Sequence, residues 1–553
     1  MTERRFVSLI LIWAMAMAIA VPGFSQNQYD IFIDSLKTNV NKQVYGQKWH
    51  RGGYRHRVPY RHIVSTPVIP DSVDMAYHQK KNFWRAGAEV VGLNVSLWAF
   101  DRYVKHGDYA YISWETIKEN FKHGFEWDND HLITNMFAHP YNGSMFFNAG
   151  RSNGFNFWQS ELFAIGGSAM WEMCMEREYP STNDIIATPI GGAAIGEVLY
   201  RASDLVLDDS STGRERFGRE AAAFILDPMR GINRIVTGQA WKKRYSSGRR
   251  FGLPPISVEL SVGPRLLAMI DNDGFKAGGA AEVNLEYGDR FELTTKVPYD
   301  YFSFLLEAQM VKTQPLLSRI EIIGRLLSKE IIDEERINMN IGMYQHFDYF
   351  DSDTIRNLEN DEIIPENVPY KFGTPASLGI GTMIRYIPNS QMSVDGFAHF
   401  NVVALAGVLT DLYRGNDERN YSWGGGYSAK AGLNWAMAND KISIKIANQF
   451  YHIFTRNNFD TSSTWMTRPK SGIIHIEGGD NGVSTFNHFE ANVNFKLKSN
   501  LYFTEGFDIY YRHTYYKDLV LNVTNDNGEQ TRISNLKWNS KQIGAHIMLT
   551  YKF

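Results

Sequence analysis

The sequence predicts an α+β membrane protein in two parts, an N-terminal all-α helical domain followed by an antiparallel transmembrane β-barrel of about 12 strands. Three observations carry that prediction. Beyond Pro254, apolar and polar side chains repeat with period two. The connections between these runs alternate between long and tight. Aromatic residues make up 14% of the chain, with 29 Tyr and 34 Phe. Period two gives a strand one apolar and one polar face. A soluble sandwich can share that pattern, but it has no reason to keep loop parity. Outer-membrane barrels do keep it, with long loops outside, tight periplasmic turns and an aromatic girdle at each interface.

The first element is a leader. Arg4 and Arg5 precede an apolar stretch from Phe6 to Val21, and Gly23 and Ser25 stand at the small-residue positions of a cleavage site, so residues 1–25 read as a secretory signal peptide. No cysteine follows the expected cut, which argues against an N-terminal lipid anchor. The formal charge is −3 over the chain, and losing Glu3, Arg4 and Arg5 makes it one unit more negative. That balance gives no reason to expect nucleic acid as a partner. Cys174 stands alone, which excludes a disulfide framework and a thiolate-rich metal site, and its apolar neighbours predict a buried small hydrophobe. At 553 residues the chain exceeds what one core normally holds, which agrees with two domains.

Residues 26–80 read as an extended basic and aromatic arm. Lys42, Lys48, Arg51, Arg55, Arg57 and Arg61 are interleaved there with Trp49, Tyr54 and Tyr60, and Pro67 and Pro70 end the segment. Helices follow over 81–240. Apolar residues at three and four spacing mark Asn82 to Lys105. Ser113 caps a segment running to Phe121, and Asp128 or Asn129 caps one through Met136. A long helix from Phe155 to Glu178 breaks at Pro180, Ser181 caps another that reaches Leu207, and a last one spans Gly218 to Arg234. The segment FWRAGAEVVGLNVSLWAFDRYV is interrupted by Arg85, Glu89 and Asn94, so it falls short of the ~20 apolar residues that cross a bilayer. Gly166, Gly167, Ser168 and Ala169 on one helix and Gly191, Gly192, Ala193, Ala194 and Gly196 on another predict a close approach of those two backbones.

The barrel reads over 250–553. Strands are expected near 256–269, 275–287, 291–310, 317–331, 335–348, 374–388, 391–409, 424–437, 441–455, 485–498, 501–516 and 541–553. Phe489, Ala491, Val493, Phe495 and Leu497 oppose Glu490, Asn492, Asn494, Lys496 and Lys498, and Ile543, Ala545, Ile547, Leu549, Tyr551 and Phe553 form the same stripe in the last strand. Connections 349–373, 410–423, 456–484 and 517–540 are long, while 332–334, 389–390, 438–440 and 499–500 are tight. Pro298 inside the 291–310 run is either a bulge or a hidden turn. An even strand count starts the first strand in the periplasm, which places the helices on the periplasmic side or in the lumen. The terminal strand ending in Phe553 resembles the signal by which barrel proteins meet the barrel-assembly machinery. Outer-membrane lipid is the other expected partner.

Two polar constellations lie in the helical part. His131, Asn135 and His139 are spaced i, i+4 and i+8. Glu172 and Glu176 are i and i+4 on another helix, with Asp184 just past its break. Imidazoles and carboxylates that meet across a helix pair hold a divalent metal or act as base and acid. The candidate catalytic set is His139, Glu172 and Asp184, and the candidate metal set is His131, His139 and Glu172. Pro140 is expected to end the helix at His139, which offers a plain cap or loop role for that histidine. Glu172, beside Trp171 in an apolar stretch, is the carboxylate whose burial needs a partner.

The stretch from Trp114 to about Asp209, with NMFAHPYNGSMFF, NAGRSNGF, GSAMWEMCMEREYPSTND and GGAAIGE, resembles the bacterial envelope family of the domain of unknown function 3943. That resemblance implies an envelope protein and brings no activity. A second likeness, to VanZ-like membrane proteins, rests on Glu172, Ser181, Asp184, Gly192 and Gly196, in helices too polar to be membrane spans. Three functional readings stay open. One is an outer-membrane barrel with a non-catalytic role in envelope transport or organisation. Another is an envelope-directed hydrolase of lipid or glycan, with His139 as base and Glu172 or Asp184 orienting it or holding a metal. The third is a passive porin.

Overall fold

The computed structural model describes residues 80–553 except 129, 270–273, 292–296, 313, 353–367, 411–419, 456–465, 468–473, 476–480, 517–519, 525–529 and 535–536. The signal peptide and the basic arm lie outside the described residues. Among those described, seven α-helices precede the sheet: α1 Phe83–Phe100, α2 Trp114–His123, α3 His139–Ser152, α4 Phe157–Met170, α5 Asp184–Val206, α6 Gly213–Leu226 and α7 Pro228–Val236. Caps explain their starts. The Asn82 side chain accepts the Arg85 amide, Ser113 and Thr116 form a capping box, and Asn156 and Gln159 form another. The expected helix over Gly218–Arg234 is two helices, α6 and α7, because Asp227 caps a fresh start whose first residue is Pro228.

Pro140 does not end its helix. The chain makes a π-turn over Thr134–Ala138, in which the His139 amide bonds the Thr134 carbonyl, and Pro140 then enters the first turn of α3, where its missing N–H costs least. The glycine expectation needs a different partner. A Cβ on Gly143 of α3 would lie 1.8 Å from the Thr188 carbonyl oxygen, and one on Gly192 would lie 2.5 Å from Gly143, so α3 is the helix that meets α5 backbone to backbone. Gly167 of α4 instead receives the Phe146 ring, and Gly166 has nothing within 4 Å.

Twelve strands then close into one antiparallel barrel, each pairing with its sequence neighbours and the last with the first. They are β1 Ile256–Met269, β2 Gly274–Tyr287, β3 Phe302–Val311, β4 Leu317–Asp333, β5 Ile337–Asp351, β6 Lys371–Asn389, β7 Met392–Leu409, β8 Tyr421–Met437, β9 Ile442–Thr455, β10 Gly482–Lys496, β11 Leu501–Tyr516 and β12 Lys537–Lys552. The strand count stands because Pro298 precedes β3 and does not interrupt it. Loop parity holds from β4 onward but reverses earlier, where 288–301 is longer than 270–273 or 312–316. The physical reason lies with the helices: Arg201 donates to the Pro298 carbonyl at 2.8 Å, and Tyr299 stacks on Phe157 at 5.5 Å.

Ion pairs fix which face of each strand points inward. Arg319 of β4 meets Glu490 of β10 at 2.7 Å, Arg265 of β1 bridges Glu307 of β3 and Asp508 of β11 at 2.8 Å each, and Lys430 of β8 meets Asp348 of β5 at 2.5 Å. The Arg319–Glu490 pair joins strands six apart in the ring and Lys430–Asp348 strands three apart, which reach each other only through the interior. Phe350, Phe372, Tyr451, Phe486 and Tyr510 pack together in the same space. The opposite face carries Met310, 72% exposed, with Leu378, Val402 and Leu433. An even-stranded antiparallel barrel with an apolar outer face is the architecture of outer-membrane proteins.

The helices do not plug this barrel. Phe302, Phe304 and Leu306 share the parity of Met310, opposite to inward Glu307, yet all three are buried. They join one apolar core with Val198, Leu199 and Ala194 of α5 and with Ile320, Ile322, Phe347 and Trp423 of the wall. Met136 sits against Gly373 and Gly407, Gln345 donates to the Ile190 carbonyl at 2.8 Å, and Trp127 lies 5.7 Å from Trp423. The helical domain therefore packs on the outer surface of β2 to β8. Among the described residues, the side chains that meet the helices are outward-facing ones, while the inward face carries the ion pairs and the ring cluster around Phe350.

Candidate functional site

The polar centre forms where three chain breaks meet. The Glu126 amide bonds the Pro180 carbonyl at 2.8 Å and its carbonyl accepts the Thr182 amide at 2.6 Å, which lays the segment before α3 beside the start of α5. Along that seam the Asp128 amide donates to Asn183 Oδ1 (2.9 Å), the Asp130 amide to Asp128 Oδ1 (2.7 Å), and Asn183 Nδ2 to Asp184 Oδ1 (2.9 Å). The Asp184 amide finds Ser181 Oγ at 3.2 Å, as a cap should. Glu172, in the π-turn Trp171–Met175 that follows α4, accepts the Ser181 amide at 2.7 Å. Tyr421 of β8 closes the seam, donating to the Asp130 carbonyl at 2.9 Å and accepting from Asn135 at 2.7 Å.

His139 stands at the middle. Its Nε2 lies 3.7 Å from Asp130 Oδ2 and 3.8 Å from Asp184 Oδ2, with side-chain exposures of 17% for His139, 46% for Asp130 and 4% for Asp184. Access is therefore from Asp130, and Glu172 and Asp184 lie beneath. Of the expected catalytic set, His139 and Asp184 face each other at 3.8 Å, beyond hydrogen-bond length, while Glu172 reaches Asp184 through Ser181. Among the described residues, Asp128, Asp130 and His139 offer ligand atoms within 4.8 Å of one another, a spread that a single divalent ion can bridge. His131 and Glu172, expected in the metal set, are not in that group. The His131 carbonyl is occupied by the Thr134 and Asn135 amides as the helix starts. Cys174 is half-buried rather than buried.

Electrostatics define the chemistry. Burial lowers the His139 pKa, but Asp184, Asp130 and Asp128 outweigh it and hold it well above the ordinary 6.5. Burial and then Asp184 push Glu172 up to about 8, and burial, Asp130 and Asp184 raise Asp128. Burial also raises Asp184 against the pull of His139. The centre is thus a cluster of buried carboxylates around His139, in which Asp184, Asp130 and Asp128 favour the protonated imidazole. A divalent ion held by Asp128, Asp130 and His139 would displace protons, so its binding would strengthen as pH rises.

A second polar centre escaped the sequence reading. Glu197 of α5, 0% exposed, is held by Arg151 at 2.7 Å and Arg201 at 2.8 Å, and Arg230 meets Asp204 at 2.5 Å. Arg201 also lies 3.9 Å over the Phe251 ring. The signal was present in IGEVLYRASDL, where charges at i, i+4 and i+7 interrupt an otherwise apolar helix. This network joins α3, α5 and α7 to the entry of β1 and serves architecture.

Residues 124–229 match the family model described as domain of unknown function (DUF3943), so this chain carries that domain, displaced from the 114–209 expected and containing every member of the His139 cluster. No curated protein matches the chain. The chain is similar to a NanC porin structure at 10% identity, covering 52% of this chain and 98% of that one, with a TM-score of 0.21. It is similar to a Pseudomonas aeruginosa FadL homologue at 13% identity, covering 54% and 91%, with a TM-score of 0.19. OmpT, an outer membrane protein of Vibrio cholerae, is similar at 9% identity over 54% and 97%, with a TM-score of 0.20.

Proposed function

We propose that this outer-membrane barrel is a non-conducting support, and that the helical domain on its outer wall is the working part, in a non-catalytic role in envelope organisation. The observation that carries this is the crossing of the interior: Arg319 meets Glu490 across the ring, and the rings of Phe350, Phe372 and Phe486 pack within it. Such an interior leaves a passive porin without a path. The signal peptide directs export, and the last strand with Phe553 is the element offered to the barrel-assembly machinery. The test is conductance of the purified protein in a planar bilayer. Silence is the expected result, and sustained openings above the bare-bilayer level reject the reading.

A hydrolase acting on envelope lipid or glycan is the second reading, favoured by the approach of His139 to Asp130 and Asp184. Here His139 acts as proton donor to a leaving oxygen, Asp184 orients it, and a divalent ion at Asp128 and Asp130 is the cofactor that would supply an activated water. His139→Gln keeps the size of the side chain and removes the acid. If extracted envelope lipids and glycans give the same products by mass spectrometry with wild type and variant, the hydrolase reading is rejected.

A further inference from the structure

We infer that the helical domain lies within the plane of the outer membrane, with the outward faces of α1, α4, α6 and α7 against lipid hydrocarbon. This rests on the barrel spanning that membrane. The wall beneath the helices is the starting observation. Phe304 of β3, buried by the helices, sits between Leu285 of β2 and Ile322 of β4, and six residues further along the same face of β3 Met310 is 72% exposed. On β5, buried Phe347 lies two residues beyond Gln345, whose ladder partner on β6 is the exposed Leu378. On β5 to β8 the covered residues Phe347, Gly373, Gly407 and Trp423 lie within four residues of the strand ends that carry the long connections, and on β3 the patch begins at the first residue, Phe302; it stays within the strands and adjoins the exposed Met310, Leu378 and Val402. A layer of helices about 10 Å thick laid on that patch occupies space that hydrocarbon otherwise fills.

The far side of the layer carries the matching chemistry. On α1 the exposed stripe is Trp84, Ala88, Val91 and Val95, on α4 it is Trp158, Leu162 and Ile165, and on α6 and α7 it includes Phe224, Ile225, Ile235 and Val236. No exposed residue within 83–100, 157–170 or 221–236 is charged, and the exposed charges of α6, Arg214 and Glu215, stand in its first turn. The exposed Ser96 returns its hydroxyl to the Gly92 carbonyl at 2.7 Å, so it asks nothing of water. Glu89 turns inward to Asn153 and Asn233 at 2.7 and 2.8 Å. A water-facing layer would place Lys and Glu at these positions, as α2 does with Glu115, Lys118 and Lys122. Exposed charges gather at the ends instead: Lys80 and Lys81 precede α1, and Lys242 and Lys243 follow α7 beside Trp241, the mixture found at a membrane interface. Among the described residues no helix is long and apolar enough to cross a membrane, and none needs to be, because each shows lipid one face and turns the other to the barrel.

The full chain with Cys174→Ser, reconstituted in phosphatidylcholine and phosphatidylglycerol vesicles, tests this by spin labels at Val91, Leu162 and Ile235. Leu433 and Phe400 on the barrel wall are lipid references, and Lys118 is the water reference. Heat-modifiable migration confirms that each variant is folded, and Val95, Ile165 and Val236 replace any position that fails. The inference expects oxygen to relax the helix labels, and a water-soluble nickel chelate to leave them alone, as at Leu433. Nickel relaxation equal to that at Lys118 overturns it while leaving the barrel intact. Shielding from both reagents overturns it as well, in favour of a covering protein or second copy. Wet labels at Leu433 and Phe400 overturn the barrel reading itself.

Discussion

Replacing Glu172 with Gln isolates the buried acid of the His139 cluster. Glu172 is 3% exposed, and burial with Asp184 beside it lifts its carboxyl to about 8 from an ordinary 4.5. A carboxyl raised in the folded state keeps a proton that the unfolded chain has released. Its contribution to stability is therefore complete below the unfolded value and is lost as pH rises through about 8. At ~1.4 kcal/mol per unit, the wild type forfeits at most about 5 kcal/mol between pH 5 and pH 9, and about half of that as Asp184 and His139 share the titration. Gln cannot ionise, and its oxygen still accepts the Ser181 amide. The variant should match wild type near pH 5 and exceed it by ~2–3 kcal/mol near pH 9. Urea titration followed by helical ellipticity at both pH values measures this, with heat-modifiable migration reporting on the barrel. Parallel pH dependence in the two proteins would refute the buried-acid account.

Other substitutions reach other parts of the fold. Glu197→Ala strands Arg151 and Arg201 without their buried partner and should cost the helical domain ~3–5 kcal/mol, seen as faster amide exchange in α3 and α5 with barrel strands unchanged. Gly143→Ala drives a methyl into the Thr188 carbonyl and should destabilise by ~1–3 kcal/mol or more, whereas Gly166→Ala meets open space and should gain up to ~1 kcal/mol. The two glycines lie on neighbouring helices, so equal effects in the same urea titration would contradict the packing. Deleting Phe553 should slow barrel assembly in cells, read as accumulation of the unfolded, protease-sensitive form. Unchanged kinetics would remove the last residue from that role.

The barrel was legible because its rule is local. Alternation in FEANVNFKLK needs only neighbouring residues, and strand pairing of successive runs then follows by the shortest connections. Pro298 was ambiguous because a turn and a bulge share a sequence pattern, and the contact of Arg201 with its carbonyl decides between them. In the helices, the cap at Ser113 was readable and the start at Asn82 was placed, whereas Asn156, which caps α4, fell inside the helix expected from Phe155. The π-turns before Pro140 and after Met170 were not readable, since they answer packing and not propensity. His139, Glu172 and Asp184 were chosen as unusual residues in apolar surroundings, and two of the three do face each other. Asp128 reads as a helix cap and Asp130 carries no signal of its own, and only the seam between 126–130 and 180–184 brings them to His139.

Sequence alone pointed to an antiparallel barrel of about twelve strands in the second half, with Pro298 leaving the count open, and to a helical part before it, because periodicity and chain connectivity are one-dimensional properties; the closure and the count of twelve belong to the structure. Sequence could not settle where those helices rest. Apolar residues on β3 to β8 read the same whether hydrocarbon or protein covers them, since both solvents reward the burial of Phe302 or Ile320 equally. The choice belongs to shape: Gly143 against Gly192, Met136 against Gly373 and Gly407, and Tyr299 against Gly324 fit surfaces far apart in the chain. Complementarity of that kind exists only once the tertiary structure has formed.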